Sequence, residues 1–134
     1  MGKWLMKSEP GTYGWEDLVR EGATQWDGVR NPAARLHLKA MKAGDEAFFY
    51  HSGSERAVVG VMRVAREATP DPEDPDWVTV AVEPARSLAA VTLKTIKADP
   101  RLAGMELIRQ SRLSVSPVRD EEWAAILELA GEAE

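Results

Sequence analysis

The chain of 134 residues carries a formal net charge of −5 and no cysteine, which excludes a disulfide framework, a thiolate zinc site and a cysteine nucleophile. No apolar run is long enough for a membrane span or a signal peptide, so we expect one cytoplasmic domain over residues 1–134 without membrane association. Residues 1–66 carry ten Lys and Arg against eight Asp and Glu, and residues 67–134 carry seven against fourteen, so phosphate binding would need a local basic patch.

The first half of the chain predicts two strands and two helices. In chain order these are a strand at 3–8, a short helix at 14–22, a helix that begins at Asn31 and Pro32, and a strand within AGDEAFFYHS. Asn31 is a favourable N-cap, and Pro32 fits the first helical position, where its missing N–H costs nothing. Apolar residues share one side of each helix, namely Trp15, Leu18 and Val19 in the first and Ala34, Leu38 and Met41 in the second.

The second half predicts more strands and a closing helix. Strands are expected at 57–65 and 77–85, separated by an acidic, proline-broken loop at 69–76, with an extended segment at 111–118. Short helical turns are expected through VTLKTIKADPRLAGMELIRQ, and DEEWAAILELAG reads as an amphipathic helix. The pattern indicates a mixed α/β (α+β) fold, a small barrel-like sheet with helices around it, and leaves the strand order open.

No catalytic constellation emerges from the sequence. His37 and His51 lack metal-ligand spacing, and Ser52 follows His51 on a strand, so the two side chains point to opposite faces. The turn KAGDEA lacks the Gly-Lys-Ser/Thr end of a phosphate-binding loop. We expect no enzyme, no metal and no cofactor. Two alternatives stay open: an enzyme or enzyme accessory acting on a nucleoside-like ligand, and a protein-interaction domain whose acidic half faces a partner.

Five sequence blocks carry a resemblance to a known family. They are WLMKSEP at 4–10, WDGVRN at 26–31, MKAGDEAFFYHS at 41–52, VGV with PD within 59–71, and SRLSVSPV at 111–118 followed by EW. In this order they resemble the EVE domain family, which is similar to the PUA-like superfamily with its YTH readers of methylated adenine and its thymocyte nuclear protein type. The resemblance implies a PUA-like β pseudo-barrel of about five to six strands surrounded by short helices. It also implies a pocket for one flipped, modified (methylated) nucleobase of DNA or RNA. We further expect a monomer, and a small planar ligand as an alternative occupant of the pocket.

Trp26 has two readings in this sequence. It is either a core plug, as tryptophans commonly are, or one wall of an aromatic cage, which is what the resemblance implies. A base stacked on an aromatic side chain gains about 1–3 kcal/mol. Trp77 is the candidate second wall, whereas the periodic positions of Trp4, Trp15 and Trp123 predict core residues.

Polar contacts to the base are expected from the first strand and from the second strand's end. By resemblance, Lys7, Ser8 and Glu9 face a base edge, and a carboxylate such as Glu9 accepts a hydrogen bond from an exocyclic amine of cytosine or adenine. Asn31 is read first as a helix cap and second as a pocket residue. The remaining candidates for the pocket rim are Tyr50, His51 and Ser52.

Phosphate contacts are expected from arginines near these blocks. The candidates are Arg30, Arg35 and Arg112. Lys39 and Lys42 share the helix stripe of Arg35, and Ser114 is a further candidate near the pocket. A basic helix stripe otherwise reads as a solvated face. The loop at 69–76 is short and acidic where many members of the family carry longer insertions, so no grip on a nucleic acid is expected from it.

Overall fold

The computed structural model describes residues 2–132 of the chain. Across these residues the strands are β1 (Lys3–Ser8), β2 (Thr24–Trp26), β3 (Glu46–His51), β4 (Ala57–Pro70), β5 (Val78–Thr92) and β6 (Val115–Pro117). The helices are α1 (Trp15–Glu21), α2 (Pro32–Ala40), α3 (Leu93–Ala98), α4 (Glu106–Arg109) and α5 (Asp120–Leu129), with a short 3-10 helix at Pro100–Leu102. The predicted mixed α+β fold is confirmed. None of these helices has the length and hydrophobicity that crossing a membrane requires.

The strands form one sheet in the order β2-β5-β4-β3-β1-β6. β1 and β3 are parallel, and the other neighbouring pairs are antiparallel. Register shifts interrupt the β3–β4 and β4–β5 ladders, and such bulges bend strands and increase their twist. Helix α2 contacts β4, β5 and β6, so it packs across the space between the two ends of the sheet.

Alternation along the strands divides the apolar residues into two clusters. The inner cluster contains Met6, Phe49 and Val80 together with the buried face of α2. The outer cluster contains Phe48 and joins the sheet to the short helices and α5. The predicted core tryptophans are confirmed: Trp4, Trp15 and Trp123 are all buried.

Several element boundaries differ from those predicted. β4 runs to Pro70 and β5 runs to Thr92, because pairing between two long strands sustains the ladder where neither shows apolar alternation. β2 is not predicted at all, since three residues are too few for a pattern. Val19 is half exposed on α1 instead of buried. In α2 the predicted cap is present: Asn31 Oδ1 accepts from the N–H of Ala34 at 3.0 Å.

Asp45 fastens the start of β1 to the turn before β3. Its carboxylate accepts from Trp4 Nε1 and from the N–H groups of Lys42 and Gly2, each at 3.0 Å. Burial raises the pKa of Asp45, but these donors outweigh it, so the pKa lies below its ordinary value. The carboxylate is therefore a buried, ionised clamp.

Gly60 leaves room for a large aromatic side chain. A methyl group at this position would come within 2.5 Å of the Trp15 indole. We expect Gly60→Ala to lower the free energy of unfolding by about 1–3 kcal/mol, as overpacking does, in urea denaturation. Gly11→Ala is the matched control, because no atom lies within 4 Å of its added methyl. Equal stability of the two variants would contradict the close packing at Gly60.

The lowered pKa of Asp45 predicts a dependence of stability on pH. A carboxylate whose folded pKa lies below its unfolded pKa stabilises the protein above the unfolded value, and this contribution is lost as pH falls through the folded value. We expect Asp45→Asn to cost about 1.5–3 kcal/mol at neutral pH, the range of hydrogen bonds to a charged group. The gap to the wild type should shrink in acid, measured by urea denaturation at both pH values. A gap that stays constant in acid would show that ionisation is unimportant.

Candidate nucleic-acid interface

A cavity of about 450 Å³ opens where the two ends of the sheet face each other. Ser8 of β1 and Ser114, just before β6, line one side, and β2 with its following loop lines the other. The turn between β1 and α1 contributes Thr12 and Tyr13. Since β2 and β6 are the edge strands of the sheet, the cavity occupies the seam of the curled sheet.

Trp26 belongs to the core and to the cavity wall. Its side chain is only 7% exposed, and its ring meets Phe49 edge-on, with centroids 5.4 Å apart and planes at 82°. The same residue lines the cavity. Trp26 is therefore a core residue that also borders the cavity, and only a small part of it is exposed.

Hydrogen bonds hold the β1–α1 turn in place beside Trp26. Ser8 Oγ donates to the carbonyl of Tyr13 at 2.5 Å, and the Tyr13 hydroxyl donates to Glu21 Oε1 at 2.7 Å. Burial, followed by the hydrogen bond to Glu21, raises the pKa of Tyr13. Tyr13 is thus a neutral, positioned aromatic side chain on the cavity wall. Sequence reasoning missed it because it lies in a turn without apolar periodicity.

Asp27 and Gly28 form the rim of the cavity after β2. Gly28 has φ of 76°, a left-handed conformation that favours glycine. This turn leaves the Asp27 carboxylate exposed at the rim. The Asp-Gly pair was visible in the sequence as a turn, but nothing in the pattern indicated that its carboxylate borders a cavity.

Lys7 lines the cavity, but its ammonium has other partners. Lys7 Nζ donates to the carbonyl of Ser111 at 2.7 Å and lies 5.8 Å from the centre of the Tyr50 ring. Burial lowers the pKa of Lys7. Tyr50 itself is buried in the outer cluster, on the face of β3 opposite to Phe49, so it does not reach the cavity.

The other candidates near the ends of β1 and β3 bond to neighbouring protein groups and do not line the cavity. Glu9 accepts from the N–H groups of Thr12 and Tyr13 through its carbonyl, and its carboxylate packs against Gly53. His51 Nε2 accepts from the N–H of Trp15 at 3.0 Å, and its Nδ1 faces Glu55 Oε2 at 3.0 Å.

The predicted base contacts therefore separate into two groups. Lys7, Ser8 and Trp26 line the cavity, and the arginine beside them is Arg30. The predicted base contacts that the structure places outside the cavity are Glu9, Asn31, Tyr50, His51, Ser52 and Trp77. Main-chain and side-chain bonding explains the difference for most of them: the N–H of Ser52 donates to the Ser8 carbonyl at 2.9 Å, and Asn31 caps α2.

Trp77 packs against arginines instead of facing the cavity. The guanidinium groups of Arg30 and Arg35 lie 5.5 Å and 4.9 Å from its ring centre, a distance at which cation–π attraction acts. Arg30 Nη2 also lies 3.4 Å from Asp71 Oδ2, and Arg35 Nη1 donates to the Asp76 carbonyl at 2.9 Å. The acidic loop thus positions both arginines.

Arg112 lies at a separate depression of about 360 Å³, which Asn31 and Ser111 also line. This depression adjoins the cavity through chain neighbours, since Arg30 precedes Asn31 and Ser114 follows the same segment. Lys39 and Lys42 are exposed at the end of α2 and line neither concavity.

Several proteins similar to this chain share the name thymocyte nuclear protein 1. Mouse thymocyte nuclear protein 1 is 36% identical and the human protein 34% identical, each over 94% of this chain and 72% of the relative. The word nuclear in these names contradicts the cytoplasmic location that we expected from the sequence, so that prediction is wrong. The absence of cysteine is equally compatible with a nuclear protein.

Solved structures agree with the fold over nearly the whole chain. A protein from Rhodopseudomonas palustris matches with a TM-score of 0.93 at 44% identity, covering 98% of this chain and 94% of that one. The human THYN1 protein in complex with 5-methylcytosine containing DNA matches with a TM-score of 0.88 at 32% identity, covering 100% of both chains. The model of the EVE domain matches residues 3–129. The chain belongs to the EVE domain family.

Proposed function

We propose that this protein is a DNA-binding reader that holds one modified base, of the 5-methylcytosine type, in the cavity beside Trp26. The observation that carries the proposal is the cavity at the seam of the sheet, with a rigidly packed indole in its wall. Similarity over the full chain to a human protein whose structure contains 5-methylcytosine DNA supports the choice of ligand.

The cavity has the size and chemistry that a base needs. Its volume of about 450 Å³ lies within the range of small-molecule sites, about 300–1,000 Å³. The small exposed part of Trp26 offers an apolar contact for a base, and the Asp27 carboxylate at the rim offers an acceptor for the exocyclic amine of cytosine. Asp27 would then accept the hydrogen bond from the base amine that the family resemblance implied for Glu9.

Recognition of the methyl group requires more than its burial. Burying one methyl group contributes about 0.8 kcal/mol, which is roughly fourfold in affinity. Larger discrimination depends on stacking and hydrogen bonds acting together, because a site built to pair polar groups rejects a misplaced ligand strongly. Trp26, Tyr13 and Asp27 are the residues that we assign to this task.

The flanking backbone is expected to meet Arg30. This arginine lines the cavity, and its side chain is 44% exposed although Asp71 lies beside it. We include Arg35 and Arg112 as more distant phosphate contacts. RNA, or a free planar nucleoside, would fit the same cavity, and we propose that the protein acts as a monomer.

We infer that the cavity binds without catalysis. Ser8 Oγ donates to a main-chain carbonyl, so no base activates it as a nucleophile. His51, the nearby candidate base, accepts from the N–H of Trp15. Among residues 2–132 no three His, Asp or Glu side chains form a metal-binding group. A nucleoside-modifying enzyme that uses this cavity, and a protein-interaction domain, are the competing functions that binding and turnover assays separate.

Trp26 and Asp27 should contribute to binding in different ways. We expect Trp26→Leu to weaken binding of a 5-methylcytosine oligonucleotide about tenfold or more, since stacking on the indole is lost. Asp27→Asn should mainly reduce the preference for cytosine over thymine, because an amide also offers a donor. Fluorescence anisotropy of labelled oligonucleotides measures both effects. Trp123→Leu is the matched control, because Trp123 is as buried as Trp26 but stacks on Phe48 in the outer cluster, away from the cavity. Equal losses of binding in the two tryptophan variants would contradict the assigned cavity.

Phe49 should control the orientation of Trp26. Replacing a buried Phe with Leu costs about 1–2 kcal/mol through lost packing, and we expect Phe49→Leu also to move the Trp26 resonance in ¹⁹F NMR of fluorotryptophan-labelled protein. Phe48→Leu removes a ring from the same strand on the opposite face, where Phe48 stacks on Trp123 with centroids 3.8 Å apart. This control should be destabilised similarly while the Trp26 resonance stays in place. A Trp26 resonance that moves in both variants, or in neither, would count against the role of Phe49.

A further inference from the structure

A second concavity with three basic side chains lies outside the cavity described above. Arg56, Lys94 and Lys97 surround a depression of about 340 Å³, which we name the basic patch. All three side chains are exposed. Within residues 2–132 no acidic oxygen lies within salt-bridge distance of them, and the one acid of the depression, Glu55, faces His51. The patch is therefore a local concentration of positive charge on a chain of net charge −5.

The elements that carry the patch are rigidly connected. The N–H of Leu93 donates to the carbonyl of Arg56 at 2.8 Å, and Ala57 pairs with Thr92 across β4 and β5. Arg56 has φ of 46°, the one positive φ among the described non-glycine residues. A left-handed conformation is uncommon for arginine and is retained where the surroundings enforce it. The three cations thus line one depression, and its single carboxylate, that of Glu55, is engaged with His51 and not with them.

The basic patch and the Ser8 wall of the cavity lie at the same end of the paired strands β1, β3, β4 and β5. β1 ends at Ser8, β3 ends at His51, β4 begins at Ala57 and β5 ends at Thr92, and the ladders pair these residues in sequence. Ser8 lines the cavity, and Arg56 immediately precedes β4. β1 and β4 are two strand spacings apart, or roughly 10 Å. The Ser8 wall of the cavity and the start of β4 are thus separated by a distance that a few nucleotides of a strand span, at about 3.4 Å each.

We propose that the basic patch binds backbone phosphates of the same nucleic-acid strand that places its base in the cavity. This inference rests on the proposed function and names the path of the strand, from the seam across the ends of β1, β3 and β4. Unpaired Lys and Arg side chains that contact phosphates release counter-ions and so contribute salt-dependent affinity. Because the chain as a whole is acidic, such local contacts supply the electrostatic part of binding.

The test compares a charge change in the patch with an equal change elsewhere. Lys94→Gln/Lys97→Gln removes two positive charges from the patch, and Arg63→Gln/Arg66→Gln removes two from exposed positions of β4 that line neither concavity. The probes are a dodecanucleotide with one central 5-methylcytosine and the free nucleoside 5-methyldeoxycytidine. Circular dichroism and urea denaturation confirm that both variants fold.

We expect the patch variant to bind the dodecanucleotide about three- to tenfold more weakly than the wild type. In a plot of log affinity against log salt concentration, its slope should be smaller by about 0.7 for each single-strand phosphate contact that is lost. Nucleoside binding should not change, and the β4 variant should behave as the wild type. An unchanged salt slope, or equal losses in the two double variants, would overturn the inference alone. If the wild-type protein binds neither probe, the proposed function fails and the inference falls with it.

Discussion

The ring of Phe49 is the packing contact on which the candidate site depends. It is fully buried and meets three aromatic side chains edge-on, with centroids 5.5 Å from Trp15, 5.4 Å from Trp26 and 5.5 Å from His51. These residues come from α1, β2 and β3, so one side chain sets the relative positions of three elements around the cavity. Aromatic pairs favour this edge-to-face geometry, which makes the indole of Trp26 a fixed surface.

A sheet that curls without closing explains where the cavity lies. β2 and β6 are the edge strands, each three residues long, and short edges are one way in which proteins limit unwanted strand pairing. The space between them is covered by α2 on one side and by the β1–α1 turn next to the cavity. Loops and strand ends at this seam carry polar groups while the curled sheet holds them in place. The basic patch lies at the start of β4 and the end of β5, which the ladders connect through β3 to the Ser8 end of β1.

The sequence predicted the regular elements better than the site. Helix α2 followed directly from Asn31 and Pro32, and β1 was predicted with the bounds that the structure shows, because local patterns determine both. His51 and Asn31 look like binding residues in the sequence but have hydrogen-bond partners within the protein, which only the tertiary structure shows. Tyr13 gave no signal and Asp27 only that of a turn, since loop residues join a site through the packing of distant segments. Trp77 has the right residue type for a cage but packs on two arginines.

The proposed function requires that a single modified base binds in the cavity beside Trp26. The most direct measurement is a crystal structure of this protein with an oligonucleotide that contains one 5-methylcytosine. We expect the methylated base to lie in the cavity against Trp26, with its exocyclic amine directed to the Asp27 carboxylate. A complex in which the cavity is empty and the base lies elsewhere, for instance in the depression beside Arg112, would contradict it.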